Sequence, residues 1–524
     1  MIKKISYFEK QLCQKFATFT EKKLLCLSSL FLLGFGMLII YKAAVDYGFV
    51  WDQTEHLHAA YLVSIGQVPY KDFFEHHHPL LWYLLAPAMQ WFYPSIKVVY
   101  FARFLALGFF AGCLWLLFVI TDKFLFNRRS AVFTLLCLMS VPELWNDIFN
   151  LRPDILMLLS VLGGSAFFFV YLRNQSVIYL ILSYILQIVA FLFLQKAALT
   201  ILGFGIANLW LLLQKKCSWR DFIIAFAIAL IPLLSFFGWI DHENIWSEYW
   251  WYNYLLNSLI PFFYNGYCDA PQTTVCFLWF GICGVGYFFY KKHGKLNNFS
   301  LVWLWCTITT LGATISFMPH AQYLYPIFIF MAPYWGNLVA DIFITSRKYI
   351  VLMLCIILSM WALIPSPVAR QAMQKYVNMM SFIIENFSPT EEVAVLSFPP
   401  SNIYQPDAHY YWFGFKDVAE IDVLFNPANK DFDFNQLIMA KKPRYILYSW
   451  FPQTAERESF HWFAGRNFMI LQRIKRDPSA KRRFLTVMMP PVPSFWPVDD
   501  KYLRNNYENI KETHIWRRKD VAPQ

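Results

Sequence analysis

The sequence predicts an α-helical polytopic membrane protein with a C-terminal soluble α/β domain, and three observations support this prediction. First, 58% of the 524 residues are hydrophobic and only 15% are charged, against about 25% charged residues in a soluble protein. Second, apolar stretches long enough to cross a bilayer recur along the chain. Third, the charges concentrate towards the C-terminus. Because 53 Phe and 21 Trp residues must be buried and the net charge of +11 is not gathered on one face, we exclude a disordered chain and a nucleic-acid partner.

The distribution of charge divides the chain into three parts. Segment 1–23 carries six Lys residues and is expected to be cytoplasmic. The body, 24–365, holds only 18 of the 45 basic residues, as membrane-spanning helices would. Segment 366–524 holds 21 basic and 17 acidic residues and is long enough for one hydrophobic core of its own.

A membrane-spanning helix needs about 20 mostly apolar residues, and eleven stretches of the body reach or approach this length. They are 24–41, 98–121, 131–149, 155–172, 177–194, 197–214, 221–240, 275–290, 299–318, 323–340 and 349–365. A further apolar stretch, 80–94, is shorter and interrupted by proline, so we expect it to lie at the membrane interface.

Basic residues in the short loops indicate the orientation, because Lys and Arg accumulate on the cytoplasmic side. With the N-terminus inside, alternate loops place 18 basic residues inside and six outside or near the outer face. Eleven crossings then put segment 366–524 outside the cytoplasm. We therefore expect a multi-pass protein of a bacterial inner membrane with a periplasmic C-terminal domain; in a eukaryote the outer side would be a lumen.

The first external loop, 42–79, is rich in ionisable residues. Its candidate functional residues are Asp52, Glu55, Asp72, Glu75, His76, His77 and His78. Between them, the apolar residues of 58–65 recur at helical spacing, which predicts a helix lying along the membrane surface. Such groups are costly beside a bilayer unless they are solvated, paired or functional. The loop is therefore either a functional cluster or a solvated polar segment.

Other polar residues of the body are predicted to reach the same side of the membrane. Arg152 and Asp154 lie between the third and fourth spans, Lys196 between the fifth and sixth, and His320 and Tyr323 between the ninth and tenth. Taken singly, Lys196 could extend to lipid headgroups, Arg152 could pair with Asp154, and His320 could cap a helix. Together they predict one outward-facing polar cavity.

The pattern of the first external loop resembles a known family. Asp52 is followed by Gly66-x-x-Pro69-Tyr70-x-Asp72-Phe73 and then by His78-Pro79-Leu80, as in GT-C glycosyltransferases of the protein O-mannosyltransferase and aminoarabinose transferase type, glycosyltransferase family 39. The resemblance extends in layout over 24–365 and implies a GT-C fold of about 11 spans with interfacial helices. It implies inverting transfer of a hexose or pentose from a polyprenyl-phosphate donor to a hydroxyl of a lipid, glycan or protein acceptor.

The resemblance also implies roles for individual residues. Asp52 takes the place of the general base, which removes the proton of a weakly acidic hydroxyl as it attacks. Asp154 takes that of a second acidic residue, and cationic donors must stabilise the lipid phosphate as the glycosidic bond breaks. The residues assigned to the phosphate are Lys196, Arg103, His77, His78, His320 and Tyr323, and those assigned to supporting roles are Glu55, Asp72, Glu75 and Arg152.

No cofactor is required for this chemistry. Glu75, followed by three histidines, nevertheless suggests a divalent metal site formed by Glu75, His76 and His78. Adjacent side chains diverge in a strand or helix, so at most two of these residues can bind one ion without help from elsewhere. We therefore expect a transfer reaction that proceeds without a metal.

Two other functions share the lipid-phosphate chemistry. A transporter or flippase of polyprenyl-linked sugars would need substrate groups near the bilayer midplane and repeated broken helices, whereas the polar residues here gather at one surface. An O-antigen ligase or polymerase would favour a large external loop between late spans, whereas the largest external loops here are 42–79 and 241–274. The expected partners are a polyprenyl-linked sugar, an acceptor and membrane lipids.

Segment 366–524 shows the shorter periodicity of strands. Stretches 392–397, 420–425 and 444–449 are predicted strands, with helices predicted at 408–415 and 434–440. Alternating strands and helices predict a small α/β domain. Because its sequence shows no phosphate-binding loop or catalytic triad, we expect the chemistry to lie in the body.

Overall fold

The computed structural model describes residues 41, 45, 51–139, 141, 144, 150–258, 272–292, 296–316, 324–342, 367–388, 390–395, 402–411, 422, 425–426, 434–447, 500–510 and 515–521. The predicted span 349–365, all but the last residue of the span 24–41, and the candidate site residues His320 and Tyr323 lie outside the described residues.

The first external loop folds into two helices joined by an irregular segment. Helix α1 spans Trp51–Ser64 and α2 spans Leu80–Phe92. The helix predicted over 58–65 thus begins earlier, and it carries Asp52 in its first turn, where the helix dipole favours a carboxylate. Helix α2 packs on α1 with Trp82 fully buried, so these two helices are packed together and do not form a solvated polar segment.

The body is built of apolar helices whose bounds agree with the predicted spans within three residues, except that the helix of the predicted span 131–149 is described only to Met139. They are α3 (Lys97–Ile120, continued by a π-helical turn at Thr121–Leu125), α4 (Arg128–Met139), α5 (Pro153–Asn174), α6 (Val177–Phe193), α7 (Ala197–Leu213), α8 (Trp219–Glu243), α10 (Gln272–Lys292), α11 (Asn298–Ser316) and α12 (Tyr325–Ile342). The short helix α9 (Trp246–Trp250), with the π-helical turn Trp251–Leu256, follows α8 in the external loop.

Several of these helices have the length and composition of membrane spans. Within the described part of the chain, three are long and apolar enough to cross a membrane: Lys97–Leu125, Pro153–Asn174 and Trp219–Glu243. Three shorter helices, Val177–Phe193, Ala197–Leu213 and Asn298–Leu311, are also apolar. These helices indicate a membrane protein, and the count of eleven spans stays a prediction.

Two glycines allow close contacts between helices of the body. A Cβ atom on Gly164 of α5 would lie 3.0 Å from the carbonyl oxygen of Ser183 in α6, and one on Gly203 of α7 would lie 2.6 Å from the carbonyl oxygen of Trp305 in α11. Small residues at such contacts are typical of membrane helices. The contacts fix the positions of α5 and α7, whose N-termini reach the candidate site.

The described residues after 366 include three helices and a four-stranded sheet. Helix α13 spans Pro367–Asn386, and the strands are β1 (Val393–Val395), β2 (Tyr445–Leu447), β3 (Tyr507–Asn509) and β4 (Ile515–Arg518). The strand order is β1-β2-β4-β3, with β1 and β2 parallel and the other two pairs antiparallel. Helices α14 (Phe434–Lys441) and α15 (Asp500–Asn506) precede β2 and β3. Apolar residues are buried in two clusters, one with Ile438 and Leu503 and the other with Ile383 and Phe387 of α13.

Two predictions for this segment are wrong. Residues 408–411 of the predicted helix 408–415 are irregular, because the backbone of Tyr410 accepts a hydrogen bond from Phe74 of the first loop instead of from its own chain neighbours. Asp422 and Phe425 of the predicted strand 420–425 are helical, and the carbonyl oxygen of Asp422 accepts from the amide of Asn426. Tertiary contacts override local propensity in such segments.

Candidate active site

Four charged side chains form a chain of alternating sign between α1, α5 and α7. An Nη1 hydrogen of Arg152 is donated to Oδ2 of Asp52, and Nε of Arg152 lies 3.3 Å from Oδ2 of Asp154. Nζ of Lys196 lies 4.0 Å from Oδ1 of Asp154. The order is therefore carboxylate, guanidinium, carboxylate and ammonium.

Local sequence explains how these groups are held. Arg152 is the extended N-cap residue of α5, and Pro153 occupies the first helical position, where its fixed φ and missing N–H are favourable. Asp154 follows in the first turn, where the helix dipole stabilises a carboxylate. Lys196 is the N-cap residue of α7, where the same dipole disfavours a cation. A lysine at this position indicates an anion beside it.

Burial separates the middle of the charged chain from its ends. The side chains of Arg152 and Asp154 are 5% and 4% exposed, whereas those of Asp52 and Lys196 are 24% and 32% exposed. Burial lowers the pKa of Lys196 to about 8, and the carboxylate of Asp154 opposes this shift. The inner pair is therefore a support, and the two ends are the groups that a ligand can reach.

A second cluster contains two carboxylates and two imidazoles. One ligand atom from each of Glu55, Glu75, His76 and His77 lies within 4.8 Å of all the others. Nδ1 of His77 is 3.5 Å from Oε1 of Glu55 and 3.6 Å from Oε2 of Glu75. Glu55 is three residues from Asp52 on α1, so the two acids lie on neighbouring turns of one helix face. The cluster thus borders the charged chain.

Burial dominates the ionisation of this cluster. It raises the pKa of Glu55 and of Glu75 well above the usual value, and the neighbouring Glu75 raises that of Glu55 further. It lowers the pKa of His76 to about 3 and that of His77 well below its usual value. The imidazoles are accordingly neutral near pH 7, the form in which histidine binds metals.

The structure does not bring His78 to this cluster. Its Nδ1 lies 2.7 Å from the carbonyl oxygen of Phe191, and its Nε2 lies 3.1 Å from the hydroxyl of Tyr249. The ring is fully buried, and burial lowers its pKa to about 4. His78 therefore anchors the first loop to α6 and α9, while His77 and Glu55 take the places beside Glu75 and His76.

Two further candidates lie away from the exposed ends of the charged chain. Arg103 of α3 is fully buried, and its Nε donates to Oε1 of Gln53, which neighbours Asp52. Asp72 is exposed, and its Oδ2 accepts from the amide of Val68, 2.7 Å away. Arg103 therefore stabilises α1 through Gln53, and Asp72 stabilises a turn of the loop.

Sequence reasoning assigned no site role to His56 or to Gln195, although Gln195 stands beside the candidate Lys196. Nδ1 of His56 accepts from Nε1 of Trp82, and its ring centroid is 5.2 Å from that of His77. Nε2 of Gln195 lies 3.4 Å from the carbonyl oxygen of His76. The spacing of His56, four residues after Asp52, could have identified it only if the helix predicted over 58–65 had been extended back to Trp51.

The tail after residue 366 also supports the first loop. Nε2 of His58 lies 2.6 Å from Oδ2 of Asp407, and both side chains are buried. The hydroxyl of Tyr410 donates to the carbonyl oxygen of Tyr70, 2.6 Å away. Asp422 accepts from Nε1 of Trp251 at 2.5 Å. Through these contacts, Asp407, Tyr410 and Asp422 of the tail stabilise α1 and the external loops.

Comparison with known proteins places the fold. No protein-family model matches the chain, and no curated protein matches its sequence. The chain is similar in structure to the aminoarabinose transferase ArnT from Cupriavidus metallidurans bound to undecaprenyl phosphate, with a TM-score of 0.52 at 11% identity over 72% of this chain and 85% of that one. The apo state of ArnT gives a TM-score of 0.49 at 11% identity over 71% and 83%.

A second similar structure is that of the archaeal oligosaccharyltransferase AglB from Archaeoglobus fulgidus in complex with an inhibitory peptide and a dolichol-phosphate. It matches with a TM-score of 0.47 at 12% identity over 79% of this chain and 69% of that one. The likeness to ArnT shows a shared fold, and at that level it agrees with the family resemblance described in the sequence analysis.

Proposed function

We propose that the protein is an inverting glycosyltransferase that moves a sugar from a polyprenyl-phosphate donor to an acceptor hydroxyl outside the cytoplasm, with Asp52 as the general base. The alternating chain of Asp52, Arg152, Asp154 and Lys196 is the observation that carries the proposal. Its accessible ends are a carboxylate and an ammonium group. A base for the acceptor and a cation for the departing phosphate are what this transfer requires.

The donor phosphate is assigned to Lys196. Backbone N–H groups and the dipole at the N-terminus of α7 favour an anion there. With its pKa lowered to about 8, Lys196 is still mostly protonated at neutral pH. The ArnT structure of similar fold contains undecaprenyl phosphate, which supports a lipid phosphate as the donor. As the glycosidic bond breaks, Lys196 stabilises the charge that develops on the phosphate oxygen.

The acceptor hydroxyl is assigned to Asp52. Arg152 engages Oδ2 of Asp52, which leaves Oδ1 to accept the proton. The hydroxyl oxygen forms a bond to the anomeric carbon while the bond from that carbon to the phosphate oxygen breaks. Because attack and departure occur on opposite faces of the sugar, the configuration inverts. Asp154 does not touch the acceptor in this scheme; it holds Arg152 and Lys196 in place.

A flippase of polyprenyl-linked sugars fits these observations less well. Asp154 lies in the first turn of α5, and Lys196 lies at the N-cap of α7. Both therefore sit at helix ends, whereas transporters bind substrate near the bilayer midplane. A flippase also has no use for an accessible carboxylate held in one orientation.

The test is the substitution Asp52→Asn in the purified full chain, assayed for sugar transfer from polyprenyl-phosphate donors. Asparagine keeps an oxygen for Arg152 but cannot take a proton, so we expect the rate of transfer to fall by about 10² to 10⁴-fold. The matched control is Asp241→Asn, an exposed carboxylate that accepts from Nε1 of Trp246 at 3.1 Å. It should transfer sugar at the unsubstituted rate.

Near-normal transfer by a well-folded Asp52→Asn protein would overturn the proposed mechanism. Movement of labelled lipid-linked sugar across proteoliposomes without an acceptor, undiminished in the Asp52→Asn protein, would favour the flippase instead. Folding is checked by elution from size-exclusion chromatography and by thermal unfolding.

A further inference from the structure

The cluster of Glu55, Glu75, His76 and His77 contains buried groups that protein contacts leave unsatisfied. Glu55 and Glu75 are 2% and 0% exposed. Oε1 of each, and Nδ1 of His77, have no hydrogen-bond partner among the described residues. The separations of 3.5 and 3.6 Å between His77 and the two acids exceed the about 2.7–2.9 Å of a charge-assisted hydrogen bond. Buried polar atoms without partners are costly, so a further ligand for these atoms is indicated.

The spacing of these atoms suits a metal ion. Bonds of about 2.0–2.2 Å from Zn²⁺ to nitrogen and oxygen place tetrahedral ligands about 3.3–3.6 Å apart. The distances from His77 to Glu55 and to Glu75 already have this value. The widest separation in the group, 4.8 Å, closes to it with rotamer adjustments of about an ångström.

We propose that Glu55, Glu75, His76 and His77 bind one divalent transition-metal ion of the Zn²⁺ class. Two imidazole nitrogens and two carboxylate oxygens form a donor set that zinc accepts in tetrahedral geometry. Mg²⁺ and Ca²⁺ prefer oxygen ligands throughout, and the absence of a thiolate from the set disfavours soft monovalent copper. Two carboxylates and two neutral imidazoles balance the charge of the ion.

The irregular backbone of 75–77 explains how adjacent histidines can share one ion. This stretch is neither helix nor strand, so the divergence of neighbouring side chains in regular structure does not apply. The ring centroids of His76 and His77 are 4.1 Å apart. Glu55 then enters from α1, which supplies the ligand from elsewhere that the loop alone lacks.

The surroundings of the cluster hold its ligands in place. The carbonyl oxygen of His76 accepts from Nδ2 of Asn257 at 2.8 Å, and that of His77 accepts from the hydroxyl of Tyr70 at 2.5 Å. The amide of His76 donates to Oε2 of Glu75 at 3.2 Å. Partners of this kind orient metal ligands and contribute to affinity. The bound ion would lie about one helical turn from Asp52 along α1.

Direct metal binding tests the proposal. The full chain is purified in detergent, treated with a chelator, dialysed and titrated with ZnCl₂, with bound zinc measured by elemental analysis and by calorimetry. We expect one ion per chain. In the variants Glu75→Gln and His77→Ala the dissociation constant should rise at least about 100-fold, since even the loss of an outer partner costs about 10 to 100-fold.

The matched control removes another histidine and acid pair. Nδ1 of His242 lies 3.3 Å from Oε1 of Glu243, and the His242 side chain is 82% exposed. The double variant His242→Ala and Glu243→Gln should keep the stoichiometry and affinity of the unsubstituted chain. If this control loses the bound zinc while His77→Ala retains it, the proposal is wrong.

A spectroscopic measurement keeps the test independent of whether the variants fold. Co²⁺ added to the metal-free, unsubstituted chain should give the intense visible absorption of a tetrahedral nitrogen and oxygen site, and Zn²⁺ should displace it one for one. Absence of these bands, or no saturable zinc binding, would overturn the proposal. In that case the two acids share protons rather than a metal.

Discussion

Replacement of Arg152 by Met tests whether the buried guanidinium holds the two acids of the candidate site. Arg152 contacts Asp52 through Nη1 and Asp154 through Nε, and its side chain is 5% exposed. Methionine has similar length and no charge, so it removes both ion pairs with little loss of packing. Among the cations of the described residues, Asp154 would then face Lys196, 4.0 Å away.

The expected cost follows from the distances and burial. At an effective dielectric constant of 20, unit charges 3.3 Å apart attract by about 5 kcal/mol and those 4.0 Å apart by about 4 kcal/mol. Desolvation offsets much of each gain, and removing one member of a buried pair typically costs about 3–5 kcal/mol. Because Lys196 still faces Asp154, we expect Arg152→Met to lower the free energy of unfolding by about 3 kcal/mol. Adding Asp154→Asn, which removes the orphaned charge, should restore about 2 kcal/mol of it.

The assay is a double-mutant cycle on the free energy of unfolding, measured by denaturant titration in mild detergent with Trp fluorescence. The control Arg220→Met removes an exposed arginine of α8 and should change stability by no more than about 0.5 kcal/mol. If Arg152→Met is as stable as this control, or if Asp154→Asn adds its own loss instead of compensating, the chain of alternating charge does not support the site.

Three further predictions concern pH and the tail. Lys196 must be protonated to bind phosphate, and its pKa is lowered to about 8, so the rate of transfer should decline as the pH rises through 8. In the variant Lys196→Arg this decline should be absent up to pH 10. If the pH profile of Lys196→Arg matches that of the unsubstituted protein, the assignment of the phosphate to Lys196 is wrong. Burial lowers the pKa of His409 from 6.5 to about 4, so the unfolded chain binds a proton first on acidification. Stability should therefore fall by up to about 3 kcal/mol between pH 6.5 and 4, and His409→Gln should lose that dependence in denaturant titrations. The variant Asp407→Asn removes the charge that His58 contacts at 2.6 Å. Amide hydrogen exchange at residues 402–411 should then become about 10-fold faster or more. Unchanged exchange would show that the pair of His58 and Asp407 does not stabilise this segment.

The helices of the body could be predicted from the sequence because their signal is local. A run of about 20 apolar residues determines a helix in a membrane without reference to the rest of the chain. The ends of α5 and α7 were accordingly predicted within two residues. The polar residues at those ends, Asp154 and Lys196, stood out for the same reason, since an apolar run makes any charge conspicuous.

The tail was predicted less well because its structure depends on distant contacts. Residues 408–411 take an irregular path that the first loop imposes through the amide of Phe74 and the carbonyl oxygen of Tyr70. The helical state of Asp422 goes with side-chain contacts to Trp251 and Tyr252 of the external loop. No periodicity within the segment encodes these partners.

The choice among three consecutive histidines was also beyond sequence reasoning. In an irregular segment neither the period of a helix nor that of a strand assigns directions to neighbouring side chains. Tertiary contacts determine which histidines join the cluster. Phe191 and Tyr249 bind the two nitrogens of His78, while His76 and His77 turn towards Glu55. The contribution of Glu55 follows from its position on α1, one turn from Asp52, which required the helix to begin at Trp51.

Two electrostatic features of the site are unfavourable without ligands, and ligands of opposite charge would offset both. Lys196 places a cation at the N-terminus of α7, against the helix dipole, and Glu55 and Glu75 place two acids in a buried cluster. Violations of local rules concentrate at functional sites, and here their signs are opposite. A metal ion would neutralise Glu55 and Glu75, and a donor phosphate would place a second anion beside Lys196 in addition to Asp154. The positive ion would also strengthen the binding of the phosphate. Occupation of one site should therefore raise affinity at the other, which makes the pair a coupled rather than an independent feature of the proposed transferase.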